Sequence, residues 1–214
     1  MELTLQGLKQ TDGWKQAGYS LPEYDIPAVA ARTRENPRWI HFGAGNIFRA
    51  FQANVAQELL NRGILDTGLI AAEGYDYEII EKMYRPHDNL SILATLKADG
   101  TVEKTVVGSI VESLILDSAD PQEYGRLKEI FRAPSLQMAS FTITEKGYSL
   151  TDGKGETLAD IAWDFTHGPQ SPKSYLGKVS SLVYERFLAG ALPISLVSMD
   201  NCSHNGDKLY AAVS

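Results

Sequence analysis

Three clusters in this chain combine residue types and spacings that can do chemistry. The first is Gly43-Ala44-Gly45-Asn46-Ile47-Phe48-Arg49, which follows the apolar run Trp39-Ile40-His41-Phe42 and precedes a long amphipathic pattern. A strand that turns through Gly-x-Gly into a helix suits a dinucleotide pyrophosphate. The first glycine permits the tight turn, the second lets the backbone approach the phosphates, and free N–H groups at the helix start face the negative charge. Phe48 holds the place of the usual third glycine. A second apolar run, Leu69-Ile70-Ala71-Ala72, ends in Glu73, thirty residues after Gly43. A carboxylate there accepts hydrogen bonds from both ribose hydroxyls and repels a 2′-phosphate, which favours NAD over NADP; a solvated surface acid is the competing reading. Asp76 is an alternative for the same role. Arg49 either neutralises pyrophosphate or a charged substrate, or pairs with a nearby acid.

The second cluster is Thr142, Thr144, Glu145 and Lys146 at the end of an apolar strand pattern. A hydroxyl or carbonyl there can hold a nicotinamide ring, and Glu145 can bind substrate or relay a proton; an ordinary exposed turn has the same composition. The third is Asp200-Asn201 with His204-Asn205. An Asn amide can donate to an oxygen that gains charge during carbonyl reduction. His204 has no second histidine at metal-ligand spacing, and Cys202 with His204 makes a poor zinc site, so no metal is expected. A polar loop that caps the next helix through Asn205 is the alternative. His41, on the strand face opposite Ile40 and Phe42, reads as a satisfied, partly buried residue, and His87 as a solvated loop histidine.

The elements that must position these clusters alternate. The pattern predicts strands over 39–42, 69–73, 109–116, 136–144 and 194–199. It predicts helices over 46–61, stopped by Gly63, and over 75–84, 121–131, 158–165 and 174–188, with another beginning at Gly206. Val55, Leu59 and Leu60 share one face of the first helix, with Phe48 and Phe51 toward its start, and Ile79, Ile80 and Met83 of the second are expected to pack on the sheet. Two further strands, 90–96 and 102–107, flank Asp99-Gly100, the sequence of a hairpin turn. Residues 1–36 read as an irregular lead-in packed on the domain, with a short helix over 26–34 that has Pro27 in its first turn. Residues 37–214 read as an α/β, Rossmann-like, doubly wound domain with a mostly parallel sheet and an antiparallel hairpin insertion. In such sheets ligands bind beyond the carboxyl ends of the strands, where all three clusters fall.

Composition narrows the partners. With 214 residues, 43% hydrophobic and 22% charged, the chain is an ordinary globular protein. A net charge of −7 argues against nucleic acid, and no apolar run is long enough to span a bilayer. One cysteine cannot form an internal disulfide, and a cytoplasmic home is expected.

Three stretches together resemble the polyol-specific long-chain dehydrogenases, the mannitol dehydrogenase family. Gly43-Ala44-Gly45-Asn46-Ile47-Phe48-Arg49-Ala50 is similar to the family's GxGxFxRA motif, with Ile47 in place of its phenylalanine. Thr142-Ile143-Thr144-Glu145-Lys146-Gly147-Tyr148 resembles its TxTExGY strand end, and Asp200-Asn201 with His204-Asn205-Gly206 its DNxxHNG loop. The segments 14–24 and 72–77 look most like the members that reduce a keto sugar acid. The resemblance implies hydride transfer between NAD(H) and D-fructuronate/D-mannonate, without a metal. It places Gly43, Ala44, Gly45, Asn46, Ile47, Phe48, Arg49, Glu73 and Thr144 on NAD. Asn201 falls beside the substrate oxygen, with Glu145, Lys146 and His204 on the sugar-acid side. The family's general acid/base lysine lies in a helical C-terminal domain, in a K-x4-N-x2-H pattern, and no lysine here is followed five residues later by asparagine. The stretch is therefore expected to be the cofactor domain alone, inactive without that partner domain. Mannitol or tagaturonate/altronate as substrate, or a non-catalytic dinucleotide-binding module, are the alternatives.

Overall fold

The computed structural model describes all 214 residues. The lead-in is more ordered than its sequence suggests. After helix α1 (Thr11–Gln16), strand β1 (Tyr19–Ser20) leads to α2 (Ile26–Glu35). The Asp25 carboxylate accepts the Ala28 N–H and caps α2, and Pro27 sits in its first turn. Strand β2 (Trp39–Phe42) then runs into the glycine loop, α3 (Asn46–Ala50), α4 (Gln52–Asn61) and β3 (Leu69–Glu73). The expected single helix over 46–61 is thus two, bent at Phe51. The bend lets Phe48 pack beneath the loop while Ala53, Ala56 and Leu60 pack on the sheet; Phe51 and Val55 turn to solvent.

The segment expected to be a helix over 75–84 is a π-helix over Ile79–Tyr84, entered at Tyr77. Its wider turn buries Ile80 and Tyr84 and leaves Met83 about half exposed. Strands β4 (Ser91–Leu96), β5 (Val102–Val107) and β6 (Ile110–Ile115) follow, then α5 (Pro121–Arg132), β7 (Met138–Phe141) and the single turn α6 (Thr144–Gly147). Helices α7 (Ala159–His167) and α8 (Tyr175–Leu188), strand β8 (Ser195–Ser198) and α9 (Asn205–Val213) complete the chain. The strand expected over 136–144 stops at Phe141, because Thr144 turns left-handed and starts α6.

Five parallel strands form the main sheet in the order β6-β3-β2-β7-β8. The hairpin β4–β5 is antiparallel, as Asp99-Gly100 indicates, but it lies outside that sheet. It joins β1 in a separate three-stranded sheet, β1-β5-β4. The lead-in therefore supplies a strand to the insertion.

Period-two alternation puts a different core on each face of the main sheet. Ile40, Phe42, Ile70 and Ala72 meet α5 and α8, through Leu127, Ile130, Phe131, Val179 and Leu182. Leu69 and Ala71 meet Phe48, Ala53, Ala56, Ile80 and Tyr84. Buried Arg186 of α8 anchors the far edge. Its guanidinium donates to the carbonyls of Phe131, Ala133, Leu136, Leu192 and Pro193, which ties together the segments that enter β7 and β8.

Candidate cofactor site

The glycine loop is shaped by two constraints. Gly43 has φ +110°, and a Cβ on it would stand 2.2 Å from the Thr142 carbonyl oxygen, so only glycine fits where β2 leaves the sheet. Its N–H donates to the Ala72 carbonyl. Gly45 is the opposite case: a Cβ there would meet nothing within 4 Å. Gly45 caps α3, and the N–H groups of Gly45, Asn46 and Ile47 have no acceptor in the protein. The pair matches the division of labour expected of Gly-x-Gly, one glycine for the turn and one for approach.

Glu73, at the end of β3, is buried, with 6% of its surface exposed. Its Oε2 accepts the Ala44 N–H at 2.8 Å, while Oε1 accepts those of Gly74, Tyr75 and Asp76 at 2.9, 2.8 and 3.3 Å. It is therefore not the solvated surface acid of the competing reading. It ties the glycine loop to the loop after β3 and keeps one lone-pair direction on Oε2. Ala44 is spent on the same task, its N–H on Glu73 and its carbonyl accepting the Tyr84 hydroxyl at 2.9 Å. Ala44 and Phe48 are both fully buried and shape the loop from beneath.

A cleft of about 470 Å³ opens beside the loop, lined by Gly43, Gly45, Glu73, Tyr75, Thr142–Thr144, Lys146 and Gly147. It brings together Gly43, Gly45, Glu73, Thr144 and Lys146 from the sequence-derived set. Asn46 and Ile47 stand exposed at its helix end. Arg49 turns away. Its guanidinium donates to Asn46 Oδ1, lies over the Tyr84 ring at 5.7 Å, and lines a second hollow with His87 and Ser91. It does not line this cleft, and its hydrogen-bond partner is an amide oxygen, not the acid of the ion-pair alternative.

At the other end, Asp200 is the organiser that sequence reasoning left without a task. Its Oδ2 accepts the Ile143 N–H at 3.0 Å and the Tyr148 hydroxyl, and its Oδ1 accepts the Thr144 N–H at 3.0 Å. This holds Thr144 at φ +65°, a costly conformation for a β-branched residue. Burial and the Asp200 carboxylate push the Tyr148 hydroxyl well above its ordinary pKa, so it stays a donor. The Asn205 amide donates to the Asp200 carbonyl at 2.8 Å and so ties the loop to itself, while His204 stands at the N-cap of α9 with no side-chain cap bond.

The side chains proposed to meet substrate stand outside this framework. Asn201 is exposed and makes no side-chain hydrogen bond. The His204 side chain is 81% exposed, with Nδ1 3.2 Å from Asp207 Oδ2. Glu145 is exposed and paired with Lys208, whose cation holds its carboxyl below the usual range. No three His, Cys, Asp or Glu side chains are grouped to hold a metal ion, and no helix is long and apolar enough to cross a membrane.

Comparison with known proteins accounts for this arrangement. The family model described as the mannitol dehydrogenase Rossmann domain matches residues 37–214. D-mannonate oxidoreductase of Thermotoga maritima is 49% identical over 213 residues, covering 100% of this chain and 39% of that protein. Mannitol 2-dehydrogenase of Cereibacter sphaeroides is 30% identical over 90% of this chain and 39% of its own length. Among solved structures, Pseudomonas fluorescens mannitol 2-dehydrogenase, in a ternary complex with NAD and D-mannitol, superposes with a TM-score of 0.80 at 28% identity, over 100% of this chain and 41% of that one. The chain thus spans about two-fifths of the length of these relatives. It belongs to the mannitol dehydrogenase family, and residues 37–214 form that family's Rossmann domain.

Proposed function

We propose that this chain is the NAD-binding part of an oxidoreductase that passes hydride between NAD(H) and the keto carbon of a hexuronic acid, as between D-fructuronate and D-mannonate. The observation that carries the reading is the row of unpartnered N–H groups at Gly45, Asn46 and Ile47, beside open space at the Gly45 α-carbon. That cradle accepts a pyrophosphate without any side chain moving. The nicotinamide ring, when bound, supplies the hydride chemistry.

The residues of the chain then divide the remaining work. The free N–H groups hold the phosphates. Glu73 offers its remaining Oε2 lone pair to a ribose hydroxyl and opposes a 2′-phosphate, with exposed Asp76 three residues on. Thr144 and Lys146 line the cleft beyond the glycine loop, and Lys146 brings a cation to the side that an acidic sugar would occupy. Asn201, free of internal hydrogen bonds, donates its amide to the substrate oxygen, with Glu145 and His204 on the same loops. The general acid/base is the family's lysine, outside these residues, so the chain by itself binds cofactor without turnover.

A keto sugar acid is favoured over a neutral polyol by the 49% identity to a D-mannonate oxidoreductase, against 30% to a mannitol 2-dehydrogenase. A Gluconobacter oxydans relative at 29% identity is named a polyol:NADP oxidoreductase, so the preference for NAD rests on Glu73 and not on the family. A cytoplasmic location fits the single, unpaired Cys202.

Calorimetric titration with NADH and NADPH tests the reading. The wild-type chain is expected to bind NADH about tenfold or more tightly than NADPH, a difference of about 1.4 kcal/mol. Gly45→Val is expected to fold and to bind neither. Glu73→Ala is expected to narrow the preference. Equal affinity for the two cofactors in the wild type would remove Glu73 as selector, and no binding of either would overturn the reading.

A further inference from the structure

Four side chains on β2, on β7 and just after β7 form a hydrogen-bonded chain beneath the glycine loop that the function proposed above does not use. The Trp39 indole N–H donates to Ser140 Oγ at 2.6 Å. Ser140 Oγ lies 2.7 Å from His41 Nδ1, and His41 Nε2 lies 2.8 Å from Thr142 Oγ1. Parallel register sets this up, because β2 and β7 place His41 directly opposite Ser140 on one face. His41 and Ser140 are wholly buried, and the His41 ring stacks flat on Phe48 at 4.0 Å.

The direction of each bond follows from counting protons. An indole N–H can only donate, so Ser140 Oγ accepts it. Ser140 has one proton of its own, and His41 Nδ1 is the only acceptor bonded to it. A proton on Nδ1 would leave the Ser140 hydroxyl proton buried without an acceptor, which folded proteins avoid. Ser140 therefore donates to Nδ1, and Nε2 carries the ring proton and donates to Thr142. Burial lowers the His41 pKa to about 3, which keeps the ring neutral, and the Ser140 donation selects the tautomer. Thr142 Oγ1 thus accepts from behind, and its own proton has no acceptor in the protein. The residue is half-buried and lines the cleft beside Gly43, with Oγ1 2.9 Å from where a Gly43 Cβ would sit.

We propose that the Trp39–Ser140–His41 chain holds the Thr142 hydroxyl as a hydrogen-bond donor to an oxygen of the dinucleotide where it crosses Gly43, which makes His41 a positioning residue. This inference rests on the dinucleotide reading of the cleft.

Nitrogen-15 NMR of the His41 imidazole in the chain without cofactor tests the relay directly. The expected spectrum shows an unprotonated Nδ1 and a protonated Nε2, and it shows a mixture of tautomers in Ser140→Ala. An Nδ1-protonated wild-type ring would overturn the proposal. NADH titration tests the donor. Thr142→Val is expected to weaken binding about tenfold, and Thr142→Ser, which restores the hydroxyl, to stay within about twofold of wild type. If Thr142→Val does not fold, Ser140→Ala serves instead, with an expected loss of about threefold in affinity. Wild-type binding of NADH with undiminished affinity in these variants would sink this proposal alone. A folded wild-type chain that binds no NADH would sink the dinucleotide reading together with it.

Discussion

At the β2–β3 end of the cleft the groups left free are the N–H groups of Gly45, Asn46 and Ile47 and one lone-pair direction on the pinned Glu73 carboxylate. At the β7–β8 end the backbone is equally well fixed, but the side chains with chemical potential stand in solvent. Glu73 and Asp200 show the parallel: each is a carboxylate at a strand end that accepts backbone N–H groups from a neighbouring loop. What surrounds them differs. Beside Glu73 the groups that face the cleft are main-chain N–H groups and a carboxylate pinned by four backbone N–H groups, a pre-aimed arrangement that suits a bound dinucleotide. Beside Asp200, Asn201 and His204 have freedom that a second surface would have to remove. On the proposed function the first end is already finished for the cofactor, while the second leaves its side chains free.

The sharpest way to break this comparison is at Gly43. Gly43→Ala sets a Cβ 2.2 Å from a backbone oxygen at φ +110° and is expected to destabilise the fold by about 4 kcal/mol or more in urea titration. Gly45→Ala, in open space, should lose no more than about 1 kcal/mol. Equal losses would mean that the two glycines do not divide the work as described.

Acid should act next, through His41. Its pKa is lowered to about 3 in the folded chain, from about 6.5 when unfolded, so between those values the unfolded chain binds a proton that the native one refuses. His41's contribution to stability is therefore complete above about pH 6.5 and falls as the pH drops, by about 3 kcal/mol at pH 4. The expected observation is a decline in urea midpoint over this window that is shallower in His41→Gln. Identical slopes would show that His41 is not held neutral by the core.

Asp200→Ala removes an acceptor for two N–H groups and the Tyr148 hydroxyl, and is expected to cost about 2 kcal/mol in thermal or urea unfolding. A loss under 0.5 kcal/mol would detach Thr144 from its proposed anchor. The smallest effect is expected at Asn201→Ala, within about 0.5 kcal/mol, because its exposed side chain bonds to nothing internal. A larger loss would mean that the β7–β8 end is as finished as the other.

Much of this was legible in the sequence, for local reasons. Gly43 and Gly45 follow an apolar strand, and turn and approach are needs a short motif can state. The Asp99-Gly100 hairpin was equally plain, yet its partner was not. Tyr19-Ser20 pairs with it across more than eighty residues, and two residues carry no periodicity. The bend at Phe51 and the π-helix at Ile79 were hidden because no proline or glycine marks them; packing of Phe48, Ile80 and Tyr84 decides both. The polar pins are a third kind. Glu73 stands out in the sequence as an acid at a strand end, but its backbone partners exist only after the loops fold. The His41–Ser140–Thr142 array did leave a trace, since alternate polar positions on two apolar strands share one face, but which strands are neighbours is a fact of topology.

The most direct test of the account is an amide NMR titration of the 214-residue chain with NADH. The account predicts saturable shifts at Gly45, Asn46, Ile47 and the Glu73–Asp76 loop, with Asn201 to His204 nearly unmoved. Shifts confined to the 200–208 loop, or none in a folded chain, would contradict it.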